Sequence, residues 1–353
     1  VAGRLRRFVL WAVRFTALAY PLALLLIVVA FRLVGERWWG TTVALYLPRL
    51  GFALPLPFIV LALLLSRSFW WLGTQLVAVL ILLFPLMGLH LSFGTAAASP
   101  TATGGRPLRV LTLNADEGRF GVDQLIRQVR EAGADLMLMQ EAGRVSEASL
   151  RDGLAGYHVR KDDQFVIASR FPIKDTYVPP HIVVGDPTRT SRFIRYQLET
   201  PGGLIHVYNM HPASPRDALE ELRGDGWRNE FTSGRFLNPS SGRVGPNTAL
   251  RLVQVQAVAE DAAASKYPVL IAGDTNLPEQ SWALRHWLGG YRDAFAERGS
   301  GFGYTFPAPK RPWMRIDRIL VGPGFRVLGC KVLTERVSDH LAVVADLEWP
   351  AGP

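Results

Sequence analysis

Cysteine is almost missing from this chain: Cys330 stands alone among 353 residues, so no intrachain disulfide can form and a small disulfide-stapled scaffold is excluded. With neither a cysteine set nor clustered histidines, a structural zinc site has no ligands to draw on. Lysine is absent from the first 105 residues, which hold eight arginines and one acid, Glu36, for a net of +7. The other 248 residues carry 31 bases against 29 acids, a net of only +2. Most of the overall charge of +9 therefore belongs to the N-terminal part, and the remainder does not demand the broad basic face of a duplex nuclease. Disorder is excluded too, because 49% of the residues are hydrophobic and mean hydropathy is +0.14.

What the N-terminal part does have is long apolar runs. Three of them, about 11–33, 43–65 and 69–91, each approach the ~20 residues that a helix needs to cross a hydrocarbon core. They predict a membrane anchor of three transmembrane helices over residues 1–92, with Pro48, Pro55 and Pro57 kinking the second and Arg14 and Arg49 snorkelling from helix ends. Trp38, Trp39, Trp70 and Trp71 fall at span ends, where interfacial aromatics sit. Arg4, Arg6, Arg7 and Arg14 before the first span and Arg67 in the second turn put those segments in the cytoplasm. Three crossings then carry everything after residue 92 outside a plasma membrane of bacterial type.

Residues 93–107, SFGTAAASPTATGGRP from Ser92 onward, have the small, polar, Pro- and Gly-containing composition of a flexible linker. A second domain over residues 108–353 is long enough for one large core. Short β-like runs at 108–113, 135–140, 164–169, 193–198, 204–210, 268–272, 315–321 and 342–347 alternate with helical spacing at 122–132 and 249–264. This pattern predicts an α/β domain in which two sheets stack with helices outside.

Polar residues recur just past these runs: Asn114 and Asp116 in LTLNADEG, Glu141 in LMLMQEAG, His211 in VYNMHPASP, and Asp274 with Asn276 in GDTN. Asp317 follows in MRIDRIL, and Asp339 with His340 in RVSDHLAVV. Singly, each reads as a turn or helix cap. Their recurrence at strand ends, where loops converge, is what points to a site.

In that order the motifs resemble those of the endonuclease/exonuclease/phosphatase superfamily, over about residues 107–349: LNAD, QEAG, SRFPI, NMHPAS, GDTN, RIDRIL and SDHLAV. The resemblance implies a four-layered α/β sandwich and hydrolysis of phosphate esters with Mg²⁺ or Mn²⁺, ions suited to hard oxygen donors. It implies Glu141 as principal metal ligand, supported by Asn114, Asp339 and Asp116, and Asp274 as the group that positions or deprotonates the attacking water. Asn276 and His211 would hold phosphate oxygens, His340 would contact the scissile phosphate, and Asp317 would orient His340.

The chain also resembles a membrane-anchored bacterial subgroup associated with glycopeptide (teicoplanin-type) resistance. That resemblance, with the tether, implies a lipid-linked phosphate or pyrophosphate as substrate, since confinement to a membrane raises its effective concentration. An extracellular nuclease or sphingomyelinase-like phosphodiesterase is the alternative, and a non-catalytic membrane scaffold a more distant one; nucleic acid is possible but not favoured, and no protein partner can be inferred. The long stretch 215–248 interleaves Trp227, Phe231 and Phe236 with Arg223, Arg228, Arg235 and Arg243. It reads either as a surface excursion or as a substrate loop, with Arg228 and Arg235 as candidate phosphate contacts alongside Lys310 and Arg315 near Asp317.

Overall fold

The computed structural model describes residues 2–92, 106–180, 192–216, 244–308 and 311–349. Residues 93–105, most of the expected linker, and most of the 215–248 stretch, with Arg228 and Arg235, lie outside that set, as does Lys310. The chain divides into two compact units, residues 1–89 with 279–282 and residues 90–278 with 283–353.

The first unit is helical. Helix α1 (Ala2–Leu33) is long and apolar enough to cross a membrane, as is the helical stretch Phe69–Leu86, which contains α4 (Leu72–Ile81) and ends in a π turn around Pro85. The second apolar run is not one straight rod. It forms α2 (Trp39–Tyr46) and, after Pro48, a helical stretch Arg49–Leu65 containing α3 (Pro55–Leu65), bent by 95° from α2. Three crossings result only if this bent pair counts as one. Proline explains the break, because it lacks the N–H that would continue the ladder. Arg49 does not snorkel: it is buried, donates to the carbonyls of Ala44 and Leu45 at 2.8 and 2.6 Å, and stacks its guanidinium on Phe31. It thus adds donors to the terminal carbonyls of α2 at the break.

The second unit is a sandwich of two six-stranded mixed sheets. One contains β1 (Arg106–Asn114), β2 (Leu136–Gln140), β3 (His158–Asp162), β4 (Phe165–Ser169), β11 (Arg326–Val332) and β12 (Val343–Trp349), in the order β11-β12-β1-β2-β4-β3. The other contains β5 (Ile173–Tyr177), β6 (Phe193–Thr200), β7 (Gly203–Met210), β8 (Val269–Asp274), β9 (Arg292–Asp293) and β10 (Asp317–Val321), in the order β5-β6-β7-β8-β10-β9.

Alternation along the strands sorts side chains into layers. Val110, Leu136, Leu138, Phe165 and Ile167 face Ile194, Val207, Leu270 and Ile319 in the core between the sheets. Their neighbours Leu111, Leu113, Met137 and Met139 face outward, where Leu125 and Val129 of α5 (Val122–Ala132) and Leu150 of α6 (Glu147–Gly153) cover them. Helix α7 (Val244–Ala263) packs against β7 on the second sheet. The result is the expected four-layered α/β sandwich.

Among the described residues only β1 with β2 and β7 with β8 pair in parallel, so both members of each pair end at the same edge. β10 runs antiparallel to β8 with Asp317 opposite Asp274, and β12 runs antiparallel to β1, so the segments entering both strands arrive there as well. The edge is therefore where chain ends from both sheets converge.

Candidate active site

Asn114 and Asp274 are the last residues of β1 and β8, while Glu141 and His211 directly follow β2 and β7. Gly273, at φ +145, lets β8 close on β7: a Cβ there would collide with the Met210 carbonyl. Beyond β7 the turn is clamped by α7, with Gln254 Oε1 accepting from the Ala213 N–H and the Arg251 guanidinium donating to the Ala213 carbonyl, both at 2.7 Å.

Asp274 is the hub, and it is buried. Its Oδ1 accepts the Asn276 N–H at 2.9 Å, and its Oδ2 accepts from Asn114 Nδ2 at 3.2 Å. Oδ2 also lies 3.6 Å from His211 Nε2 and 3.8 Å from His340 Nε2. Burial raises the pKa of this carboxyl, and the two imidazoles work against that rise.

The two histidines are held in opposite states. His340 Nδ1 pairs with Asp317 Oδ2 at 2.8 Å. Burial opposes its charged form, but Asp317 and Asp274 outweigh this and raise its pKa to about 10, so the ring carries a proton on both nitrogens at neutral pH. His211 Nδ1 meets the carbonyl oxygen of Gln164 at 2.7 Å, an acceptor, so the proton resides on Nδ1. Burial, with the positive charges of Arg192 and His340, lowers its pKa to about 4 against the pull of Asp274. Its Nε2 is therefore an acceptor, with no hydrogen-bond partner among the described residues, and faces Glu141 Oε1 at 3.4 Å. The structure thus places His211 beside Asp274 and Glu141 at the edge where the strand ends converge.

Three carboxylates gather beside this pair. Asp116 donates its backbone N–H to Asn114 Oδ1 at 3.1 Å, and its pKa is raised by burial and by Asp339 and Glu141 nearby. Asp339 Oδ2 pairs with Arg216 Nη2 at 2.8 Å. Asp116, Glu141 and Asn276 all adopt positive φ (43°, 46° and 50°), as does Glu117 (55°); four of the six non-glycine residues with positive φ among the described residues thus lie on the site's loops.

The atoms of Asp274, Asp317 and His340 that can bind a cation lie within 4.8 Å of one another. Asp317 and His340 also pair with each other at 2.8 Å. Arg315 is not part of the site. It is buried, and its Nη1 contacts both carboxylate oxygens of Asp293 at 2.9 and 2.7 Å, where Arg318 also pairs at 2.6 Å. The structure thus places Arg315 in this ion-pair network.

A family profile, the Endonuclease/Exonuclease/phosphatase family, matches residues 111–340. The chain belongs to this family. Like the family's other members it is a hydrolase acting on phosphate esters. Solved structures of similar fold include endonuclease/exonuclease/phosphatase family proteins from Bacteroides thetaiotaomicron and Bacteroides vulgatus. Each is 18% identical with a TM-score of 0.51, covering 69% of this chain and 98% and 99% of theirs. The 3′ phosphatase NExo from Neisseria, bound to product DNA hairpin, is 17% identical with a TM-score of 0.51, covering 69% of this chain and 100% of its own. A search of curated protein sequences returns no match.

Residues not singled out as site candidates complete the site: Gln164, outside the family motifs, and Ser338, Gln140 and Asn209, within them. Gln164 fixes the His211 tautomer, and Ser338 Oγ donates to the Asn114 carbonyl at 2.6 Å while accepting the His340 N–H at 3.2 Å. Gln140 and Asn209, one and two residues before Glu141 and His211, hydrogen-bond across the core. Their signal in the sequence is a polar side chain at the inward position of an otherwise apolar strand, since Leu136 and Leu138, and Ile205 and Val207, precede them in register.

Proposed function

We propose that the chain is a membrane-anchored, divalent-metal-dependent phosphoesterase with an extracytoplasmic active site, and that it hydrolyses a lipid-linked phosphate or pyrophosphate by attack of water. The observation that carries the catalytic part is the pair of imidazoles flanking Asp274, one with its pKa lowered to about 4 and the other raised to about 10. Groups whose environments push their pKa values apart divide acid from base work.

A water held against both Asp274 Oδ2 and His211 Nε2, which lie 3.6 Å apart, points its protons at them and its lone pair away, toward phosphorus. Asp274 takes the proton as the water oxygen bonds to phosphorus, while the bond from phosphorus to the leaving oxygen breaks and that oxygen takes up a proton from solvent. His340 Nε2–H, with its charge sustained by Asp317, donates to the phosphoryl oxygens as negative charge builds. Asn276 holds Asp274 through its N–H and ties the Pro212 turn through Nδ2, 3.0 Å from that carbonyl.

The donor set suits Mg²⁺ or Mn²⁺. Glu141, Asp339 and Asp116 would supply carboxylate oxygens and Asn114 a carbonyl oxygen; burial, and after it the charges of Asp339 and Glu141, raise the Asp116 pKa, a cost a divalent cation would relieve. Such an ion neutralises charge on the substrate's phosphoryl oxygens. The apolar helices Gly3–Leu33 and Phe69–Leu86 support anchoring, and the arginines before and between them favour an N-terminus in the cytoplasm.

A nucleic-acid substrate is the second reading, favoured by the fold shared with the Neisseria 3′ phosphatase bound to DNA. The net charge of +2 over residues 106–353 weighs against it. The deciding experiment measures phosphate release by detergent-solubilised full-length protein, with Mg²⁺ or EDTA, from a polyprenyl diphosphate, a phosphodiester lipid and a DNA duplex. Mg²⁺-dependent release from the diphosphate, lost in Glu141→Ala, supports the proposal; cleavage of DNA or the diester alone overturns its substrate half.

A further inference from the structure

Arg216 stands five residues after His211, in PASPRD, and no family motif includes it. Its guanidinium is anchored twice. Nη2 donates to Asp339 Oδ2 at 2.8 Å, and the planar group lies 5.2 Å over the Phe306 ring, which in turn rests 4.6 Å from the imidazole of His340. Arg216, Phe306 and His340 thus form a stack with the imidazolium at its inner end and the guanidinium, half exposed at 47%, at its outer end. Glu141 and Asp116 lie within electrostatic reach and, with Asp339, hold the charge of Arg216 in place.

Among the described residues Arg216 makes no other side-chain hydrogen bond, so its anchors there use one of five donors, and the side chain is 47% exposed. A planar guanidinium with donors to spare beside a phosphoester site matches the paired oxygens of a phosphate.

We propose that Arg216 determines specificity for a dianionic terminal phosphate, as in a phosphomonoester or a diphosphate, over a monoanionic phosphodiester. Charge count carries the distinction. A terminal phosphate presents one more anionic oxygen than a diester, and Arg216 is a cation placed beside those the reaction already uses. This inference rests on the phosphoesterase reading of the site and narrows its substrate class.

The test compares full-length wild type, Arg216→Gln and Arg216→Lys with Mg²⁺, on p-nitrophenyl phosphate and bis-p-nitrophenyl phosphate. Arg216→Gln is expected to lower kcat/KM for the monoester about 10- to 100-fold and for the diester less than about 3-fold, the loss expected from one charge-assisted hydrogen-bond pair. Arg216→Lys, which keeps the charge, is expected to retain more monoester activity than Arg216→Gln. Equal losses on both substrates, or none on the monoester, overturn the proposal. Binding of inorganic phosphate, followed by calorimetry, separates it from the reading it rests on. If the wild type hydrolyses neither ester, the phosphoesterase reading fails, yet phosphate binding at least about 10-fold weaker in Arg216→Gln still upholds the role of Arg216, and unchanged binding refutes it.

Discussion

Gln140 Nε2 donates to Asn209 Oδ1 at 2.7 Å, joining the last turn of β2 in one sheet to β7 in the other at the point where both strands deliver a site residue. Asn209 Nδ2 continues the link to the carbonyls of Met139 and Val166 at 2.9 and 3.2 Å. The spacing between Glu141 and His211 is therefore set by buried amides below them.

Replacing Gln140 with Leu leaves the Asn209 carbonyl buried without that donor, and is expected to cost about 1–3 kcal/mol in denaturant unfolding. The double variant Gln140→Leu/Asn209→Leu should cost less than the sum of the single changes. Strict additivity would show that the two amides act independently.

Asp274→Asn removes the acceptor for the water's proton while keeping shape. Turnover should fall about 10²- to 10⁴-fold. The melting temperature should hold or rise, because a buried carboxylate is exchanged for a neutral amide. Rates like those of the wild type would remove Asp274 from its assigned role.

Asp317→Asn bears on pH. With Asp317 charged, His340 stays protonated up to about pH 10, so the alkaline limb of kcat/KM reflects its loss of a proton near there. Removing that charge lowers the pKa of His340 and moves the limb to lower pH, while the acidic limb stays where it was. A profile of kcat/KM from pH 5 to about 10.5 checks the direction. A limb that does not move would place the protonated state of His340 under another group's control.

Asp293→Ala strands the buried guanidiniums of Arg315 and Arg318 together. Unfolding free energy should fall by about 3–5 kcal/mol, the cost of breaking a buried ion pair. The folded fraction should keep its kcat/KM. A selective loss of KM would restore Arg315 to the substrate.

A reporter enzyme active only outside the cytoplasm, fused after Pro353, should be active if the N-terminal helices make an odd number of crossings from a cytoplasmic start. An inactive fusion would mean that the bent pair α2–α3 does not traverse the membrane, or that the orientation is reversed.

The strands legible in the sequence were the interior ones. β1, β2, β4, β6, β7, β8, β10 and β12 all carry apolar runs, because neighbours on both sides and a buried face demand them. β3, β5, β9 and β11 lack such a run, and each is an edge of its sheet: HVRKD, IKDTY, RD and RVLGCKV spend positions on charge, which discourages pairing with another chain. The ends of the strands announced Asn114, Glu141, His211, Asp274, Asp317 and His340 through motif order. Orientation was another matter. Whether His211 donates or accepts depends on Gln164, 47 residues away in sequence, and whether Arg315 reaches substrate depends on Asp293; neither pairing leaves a local pattern.

Glu141 keeps a left-handed backbone, with φ at 46°, while its carboxylate is partly exposed and 3.4 Å from the nearest imidazole nitrogen. A glycine would adopt that φ without strain, which for a side chain like this one costs on the order of 1 kcal/mol or more. Selection for heat resistance alone would thus tend to replace Glu141, and a lineage that no longer needed the reaction would lose this residue early while its sandwich stayed intact.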